Sequence, residues 1–106
     1  MPKIVTETVE VETGYATGLS VQWADGQFVV IVSDNGVLAC GAIDVEVMEE
    51  FDNVIAVAEG TPEKPLVMPE DLLNAKISRT TGKAEAMGIK PGMSGKEALE
   101  KMLKND

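Results

Sequence analysis

At 106 residues and 11.3 kDa the chain has room for one compact domain, residues 1–106, and not for two. Hydrophobic residues make up 44%, enough for a core, but histidine is absent and Cys40 is the single cysteine, which excludes a Ser-His-Asp or Cys-His couple, an imidazole or all-thiolate metal site and an intrachain disulfide. The net charge is −9, with eleven acids against Lys3 alone in residues 1–60 and a single arginine, Arg79; a phosphate backbone would be repelled, so no nucleic-acid partner is expected.

The first half reads as strands. Over Lys3–Thr13, Val5, Glu7, Val9 and Val11 alternate with Thr6, Thr8, Glu10 and Glu12, a period of two. Ala16–Trp23 alternates again. Asp25-Gly26 and Asn35-Gly36 then read as two-residue hairpin loops, since both dipeptides tolerate positive φ. Between them Gln27–Ser33 is nearly all apolar, as a central strand should be. Val37–Ile43 follows as the fourth strand of a mostly antiparallel meander. Those loops set a register in which Trp23 faces Phe28, Val21 faces Val30, Val32 faces Ala39 and Ile31 faces Cys40. One face then carries Leu19, Val21, Trp23, Phe28, Val30, Val32, Val37, Ala39 and Ile43 and is expected to be the core face. The other, with Gly18, Ser20, Gln22, Val29, Ile31, Ser33, Leu38, Cys40 and Ala42, is mixed, and its apolar members need cover from a helix or another subunit.

The second half changes character. Asp44 is placed to cap a short helix, Val45–Phe51, expected to turn Val47, Met48 and Phe51 inward. Asn53–Ala58 reads as a fifth strand. Gly60–Pro69, with three prolines, is a loop, and Pro69 suits the start of a helix over Glu70–Asn74. Ala75–Ser78 is a final short strand, followed by a helix to about Met87 that Gly88 stops. Ser94-Gly95-Lys96-Glu97 is a capping box, with Met93 and Ala98 as its hydrophobic staple. Its helix runs towards Lys104 and points Ala98, Leu99, Met102 and Leu103 inward.

Three features invite a chemical reading. Thr81-Gly82-Lys83 and Ser94-Gly95-Lys96 look like phosphate loops, but the glycine five residues earlier is replaced by Ile77 and Lys90, and the following hydroxyl by Ala84 and Glu97. Both read as capped helix starts. The acids Asp44, Glu46, Glu49, Glu50 and Asp52 suggest a cation-binding module, yet the segment lacks the central glycine of a calcium loop. A solvated helix face is the simpler reading, and neither a metal nor a cofactor is expected. Cys40 is the one strong nucleophile and the only catalytic candidate. A reactive thiolate wants a base, a cation or a helix N-terminus beside it. With no histidine and Asp44 the nearest charge, Cys40 is expected to be buried and unreactive. No apolar run exceeds five residues, so no membrane partner is expected. Met1-Pro2-Lys3 leads into no apolar signal region, and the lone thiol fits a cytoplasmic location.

Three segments carry a resemblance: Gly36-Val37-Leu38-Ala39-Cys40-Gly41, Asp71-Leu72-Leu73-Asn74-Ala75-Lys76, and Gly88-Ile89-Lys90-Pro91-Gly92-Met93-Ser94-Gly95-Lys96-Glu97-Ala98-Leu99. Over residues 16–103 the chain resembles the YunC-like family, domain of unknown function 1805. The resemblance implies an α+β fold whose N-terminal β-rich region drives tetramer formation, and it brings no reaction, cofactor or catalytic residue. The sequence thus points to one α+β domain: a largely antiparallel sheet with an N-terminal β-meander and short helices packed mainly on one face. Residues 1–15 are expected to serve oligomerisation. The expected role is a cytosolic homo-oligomeric binding or structural module. The alternatives are a small thiol-dependent enzyme using Cys40 at a subunit interface and an acidic cation-binding module.

Overall fold

The computed structural model describes residues 2–104. Ten elements follow one another: β1 Lys3–Val11, β2 Gly14–Trp23, β3 Gly26–Ser33, β4 Gly36–Ala39, α1 Val45–Glu50, β5 Ile55–Ala58, α2 Pro69–Leu73, β6 Ile77–Thr80, α3 Gly82–Ala86 and α4 Gly95–Lys104. The strands form one six-stranded sheet in the order β1-β2-β3-β4-β5-β6. All neighbours are antiparallel except β4 and β5, which run parallel; such a pair requires a crossover, and α1 lies in it. This is the expected α+β architecture. Among the described residues no helix is long and apolar enough to cross a membrane.

The hairpins turn one residue earlier than expected. Trp23 pairs with Gly26 and Val21 with Phe28, so Ala24-Asp25 form the first loop. Ser33 pairs with Gly36 and Ile31 with Leu38, so Asp34-Asn35 form the second. Cys40 accordingly lies opposite Val29, its N–H donating to the Val29 carbonyl at 3.0 Å, and not opposite Ile31. Gly26 and Gly36 open strands without a positive φ. They are small for another reason. A Cβ at 26 would lie 2.9 Å from Cζ2 of Trp23, and one at 36 would lie 2.7 Å from Cγ1 of Val54.

Moving a loop by one residue moves each partner by two, so the division of side chains between faces survives. Which face is the core does not. The helices cover the mixed face, not the one carrying Leu19, Val21 and Trp23. Val9, Val11, Ala16, Val29, Ile31, Leu38, Cys40, Ala56 and Ala58 pack there with Leu72 of α2, Ala84 of α3 and Ala98, Leu99, Met102 and Leu103 of α4. Small residues on β2 admit α2: a Cβ at Gly18 would lie 2.7 Å from Cβ of Pro69. The Ser20 hydroxyl donates to the Val67 carbonyl at 2.6 Å, which pins the incoming loop to the sheet. On the opposite, outer side, α1 packs against β5, and Val30, Ala39, Ile55 and Val57 are buried.

The helix ends follow their capping residues. The Asp44 carboxylate accepts from the N–H groups of Glu46 and Val47 at 3.0 and 3.2 Å. Ser94 accepts from the Glu97 N–H at 3.1 Å and donates to its carboxylate at 3.3 Å. Pro69 opens α2, where Asp71 accepts from the Met68 N–H at 3.0 Å. Gly88 stops the α3 segment with φ +90°, and Ile89 behind it is fully buried. Two expectations fail. Val47 and Phe51 are exposed: α1 has no buried residue, Phe51 is its C-cap, and the chain turns away at Asp52, φ 61°. The fourth strand ends at Ala39 rather than Ile43, since the chain turns out of the sheet where the Ile43 N–H donates to the Cys40 carbonyl; Ala42 is therefore exposed and off the sheet.

Candidate functional site

Cys40 sits where β4 leaves the sheet. Its side chain is buried against the core, and the Val29 N–H donates to Sγ at 3.4 Å. Beside it lies a shallow cleft of about 300 Å³, bounded by Gln27, Gly41, Ala42 and the proline-rich loop at Gly60, Thr61, Pro62, Pro65 and Leu66. That loop is tied to itself: the Thr61 N–H donates to the Lys64 carbonyl and the Lys64 N–H to the Thr61 carbonyl, each at 3.1 Å. 

The Lys64 N–H is also held by the Thr61 hydroxyl at 3.1 Å. A second depression of about 380 Å³ opens on the other flank of the same loop, between Glu59, Lys64, Asp71 and Asn74. Sequence reading missed it; the only signal was the proline-rich spacing of Pro62, Pro65 and Pro69 between polar residues.

The cleft at Cys40 offers a thiol little help. Among its lining residues the polar side chains are Gln27 and Thr61, neither a base at neutral pH. Arg79, the distant cation that could have served, is engaged by Glu59 at 3.5 Å. Asp44 is occupied in capping α1. The arrangement keeps water from sulfur, and among the described residues of its lining there is no acid–base partner of the kind thiol catalysis uses.

The acids of the α1 region are dispersed over separate structural tasks. Glu49 accepts from the Gly82 N–H at 2.9 Å, capping α3 together with the Thr81 hydroxyl. Asp52 pairs with Lys83 at 3.8 Å on the surface, and Asp44 serves its own helix. Among the described residues no group of three His, Cys, Asp or Glu is placed to hold a metal ion. The two glycine-lysine segments are helix starts. At the second, Gly95 is pressed against the Leu72 carbonyl of α2, which closes that end of α4 to an anion.

The outer face of the meander is left open by the helices. Here Ile4 is 69%, Trp23 51%, Val32 44% and Tyr15 66% exposed, while Leu19, Val21, Phe28 and Val37 are half-buried. The register sets Ile4, Val21 and Phe28 in one row across three strands, with Thr6, Leu19 and Val30 in the next, and Thr8, Thr17, Val32 and Val37 in a third. No charged side chain lies within those rows, in a chain with 25% charged residues. Sequence reading takes Leu19, Val21, Trp23, Phe28, Val30, Val32 and Val37 of this face for the core.

Three comparisons bear on the chain. The family model described as "Domain of unknown function (DUF1805)" matches residues 39–102, from the last residue of β4 into α4. The protein named YunC from Bacillus subtilis (strain 168) is 35% identical over 88 residues, which is 83% of this chain and 86% of that one. The crystal structure of a protein of unknown function, TA1206 from Thermoplasma acidophilum, superposes with a TM-score of 0.85 at 17% identity, over 95% of this chain and 94% of the other. That likeness concerns the fold alone. The family match and the identity to the Bacillus protein together place this chain in the YunC-like DUF1805 family.

Proposed function

We propose that the protein is a cytosolic homo-oligomeric module with a structural or ligand-holding role, assembled through the outer face of β1, β2 and β3. The observation that carries this reading is the charge-free apolar face left open by the helices. At −9, two copies repel wherever their charged surfaces meet. The rows from Ile4 to Val37 are where a second copy meets no charge, and burying Ile4, Trp23 and Val32 supplies the driving force. Glu10 lies beyond the rows, opposite Tyr15, as a rim charge should. One such face per chain gives a pair, and the tetramer implied by the family resemblance is two such pairs. The free, buried thiol suits a reducing compartment. The lining of the Cys40 cleft favours holding a ligand over thiol chemistry.

The test is the double substitution Ile4→Glu and Val32→Glu, at two exposed positions of the face. Light scattering after gel filtration should show the assembly reduced to the mass of one chain, 11.3 kDa, with an unchanged far-ultraviolet circular dichroism spectrum. An unaltered mass would overturn the assignment of this face.

A further inference from the structure

The helix α1 stands on the same outer side of the sheet as the open rows of β1, β2 and β3, and bounds them on the β5 flank. Its side chains divide between two flanks. Met48 is half-buried. Glu49 reaches the Gly82 N–H at 2.9 Å, just beyond the end of β6. Two residues of helix turn a side chain through about 200°, so Val47 and Phe51, each two residues from Glu49, stand on the opposite flank, towards the meander. They lie one turn apart and are 43% and 72% exposed. The Phe51 end of α1 is also the end of the sheet that carries Glu10. Asp52 and Asn53 share a shallow cleft with Asp34 of the β3–β4 turn, and Asp34 shares another with Tyr15, the cross-strand partner of Glu10.

Resting on the reading that a second copy covers the meander, we propose that α1 fixes how that copy sits. The β1 strand of one chain lies over β3 of the other, like ends together, and the Val47–Phe51 flank of each α1 closes on the Glu10 end of β1 in the partner copy. The argument is steric. A face shared by two copies about a twofold is self-complementary, and stacked sheets keep their strands within about 30° of alignment, about 10 Å apart. The axis then lies between the sheets, either across the strands or along them. With the axis across the strands, like strands stack and α1 meets α1. Each helix is about 10–12 Å thick, so the pair would hold the sheets about 20 Å apart. With the axis along the strands, the strand order of one copy reverses over the other. Each α1 then falls outside the edge strand β1 of its partner, where its thickness matches the spacing of the sheets. The recess beside α1 is three strands wide, and the three-stranded rim of a second copy is what fits it. The same contact flanks the free edge of β1, whose unpaired backbone groups otherwise invite further chains.

Sedimentation of the full chain across a dilution series reads the strength of the pair. Phe51→Glu should weaken it about tenfold or more, by setting a second carboxylate against Glu10 of the partner copy. Adding Glu10→Lys should restore most of that loss. Adding Glu63→Lys instead, the same change of net charge on an exposed loop, should not. Circular dichroism should be unchanged by Phe51→Glu, because α1 has no buried residue. The arrangement is overturned, and the face itself stands, if Ile4→Glu with Val32→Glu dissociates the assembly while Phe51→Glu leaves it intact, or if Glu10→Lys rescues no better than Glu63→Lys. A wild-type chain that sediments at 11.3 kDa at every concentration, or an assembly that survives Ile4→Glu with Val32→Glu, overturns both.

Discussion

Replacing Gly95 by alanine should destabilise the protein even though it substitutes the best helix former for one of the worst. Gly95 is the first residue of α4 and its φ is not positive, so alanine meets no backbone strain there. By propensity alone the change would stabilise by up to about 1 kcal/mol. The space decides otherwise. A Cβ at this position overlaps the Leu72 carbonyl oxygen and lies 2.8 Å from the Leu72 carbonyl carbon and 3.3 Å from Cδ2 of Leu38. Two of those atoms are backbone, so a rotamer change cannot relieve the contact. The alternative is to part α4 from α2, which loosens Leu99 and Met102 in the core and strains the 2.8 Å bond from the Gly95 N–H to the Ala75 carbonyl. Overpacking of a core costs about 1–3 kcal/mol, and a backbone obstacle belongs at the upper end. After the propensity gain the net loss is about 2 kcal/mol, a fall in Tm of about 10 °C for a domain of this size. Thermal unfolding followed by circular dichroism reads this directly. Gly92→Ala is the control: its φ of +98° strains alanine, but no atom lies within 4 Å, so its smaller loss, about 1 kcal/mol, comes from conformation alone. A Gly95→Ala protein as stable as the wild type would refute the packing of α4 on α2 described above.

Thr81→Val should cost about 2–3 kcal/mol in urea unfolding, because a fully buried hydroxyl that donates to the Asn53 carbonyl at 2.7 Å and accepts from the Ile55 N–H at 3.1 Å is removed without changing shape; a neutral result would show that these groups find other partners. Cys40 in the native protein should be alkylated by iodoacetamide more slowly than in the urea-unfolded chain, since the side chain is 7% exposed. Faster reaction of the native thiol near neutral pH would instead promote the thiol-dependent enzyme.

Much of the fold is legible in the sequence where a local rule acts alone. Asp44, Ser94, Pro69 and Gly88 mark helix ends by satisfying or refusing backbone groups, and the structure follows each of them. Strand alternation from Val5 to Cys40 sorts side chains between faces correctly. What was illegible depends on contacts across the chain. Gly26 and Gly36 look like turn glycines, yet Trp23 and Val54 require them to be small, and nothing near them in sequence says so. The core face was misread because both faces of β3 are apolar, and Leu72, Leu99 and Met102 could cover either. The usable clue was the small pair Gly18 and Ser20, which makes room for Pro69 and binds Val67. The same inversion hides the candidate interface, since Leu19, Val21, Trp23, Phe28 and Val32 read as interior residues in the sequence. Cys40 was identified, and its burial foreseen, but its cleft is built from a loop twenty residues away whose approach no local pattern reveals.

Coverage of the outer face of β1, β2 and β3 by a second copy of the chain is tested most directly by sedimentation equilibrium of the unmodified full chain at micromolar concentration. A mass of two or four chains is expected, while a mass of 11.3 kDa, constant across concentration, would contradict the proposed assembly.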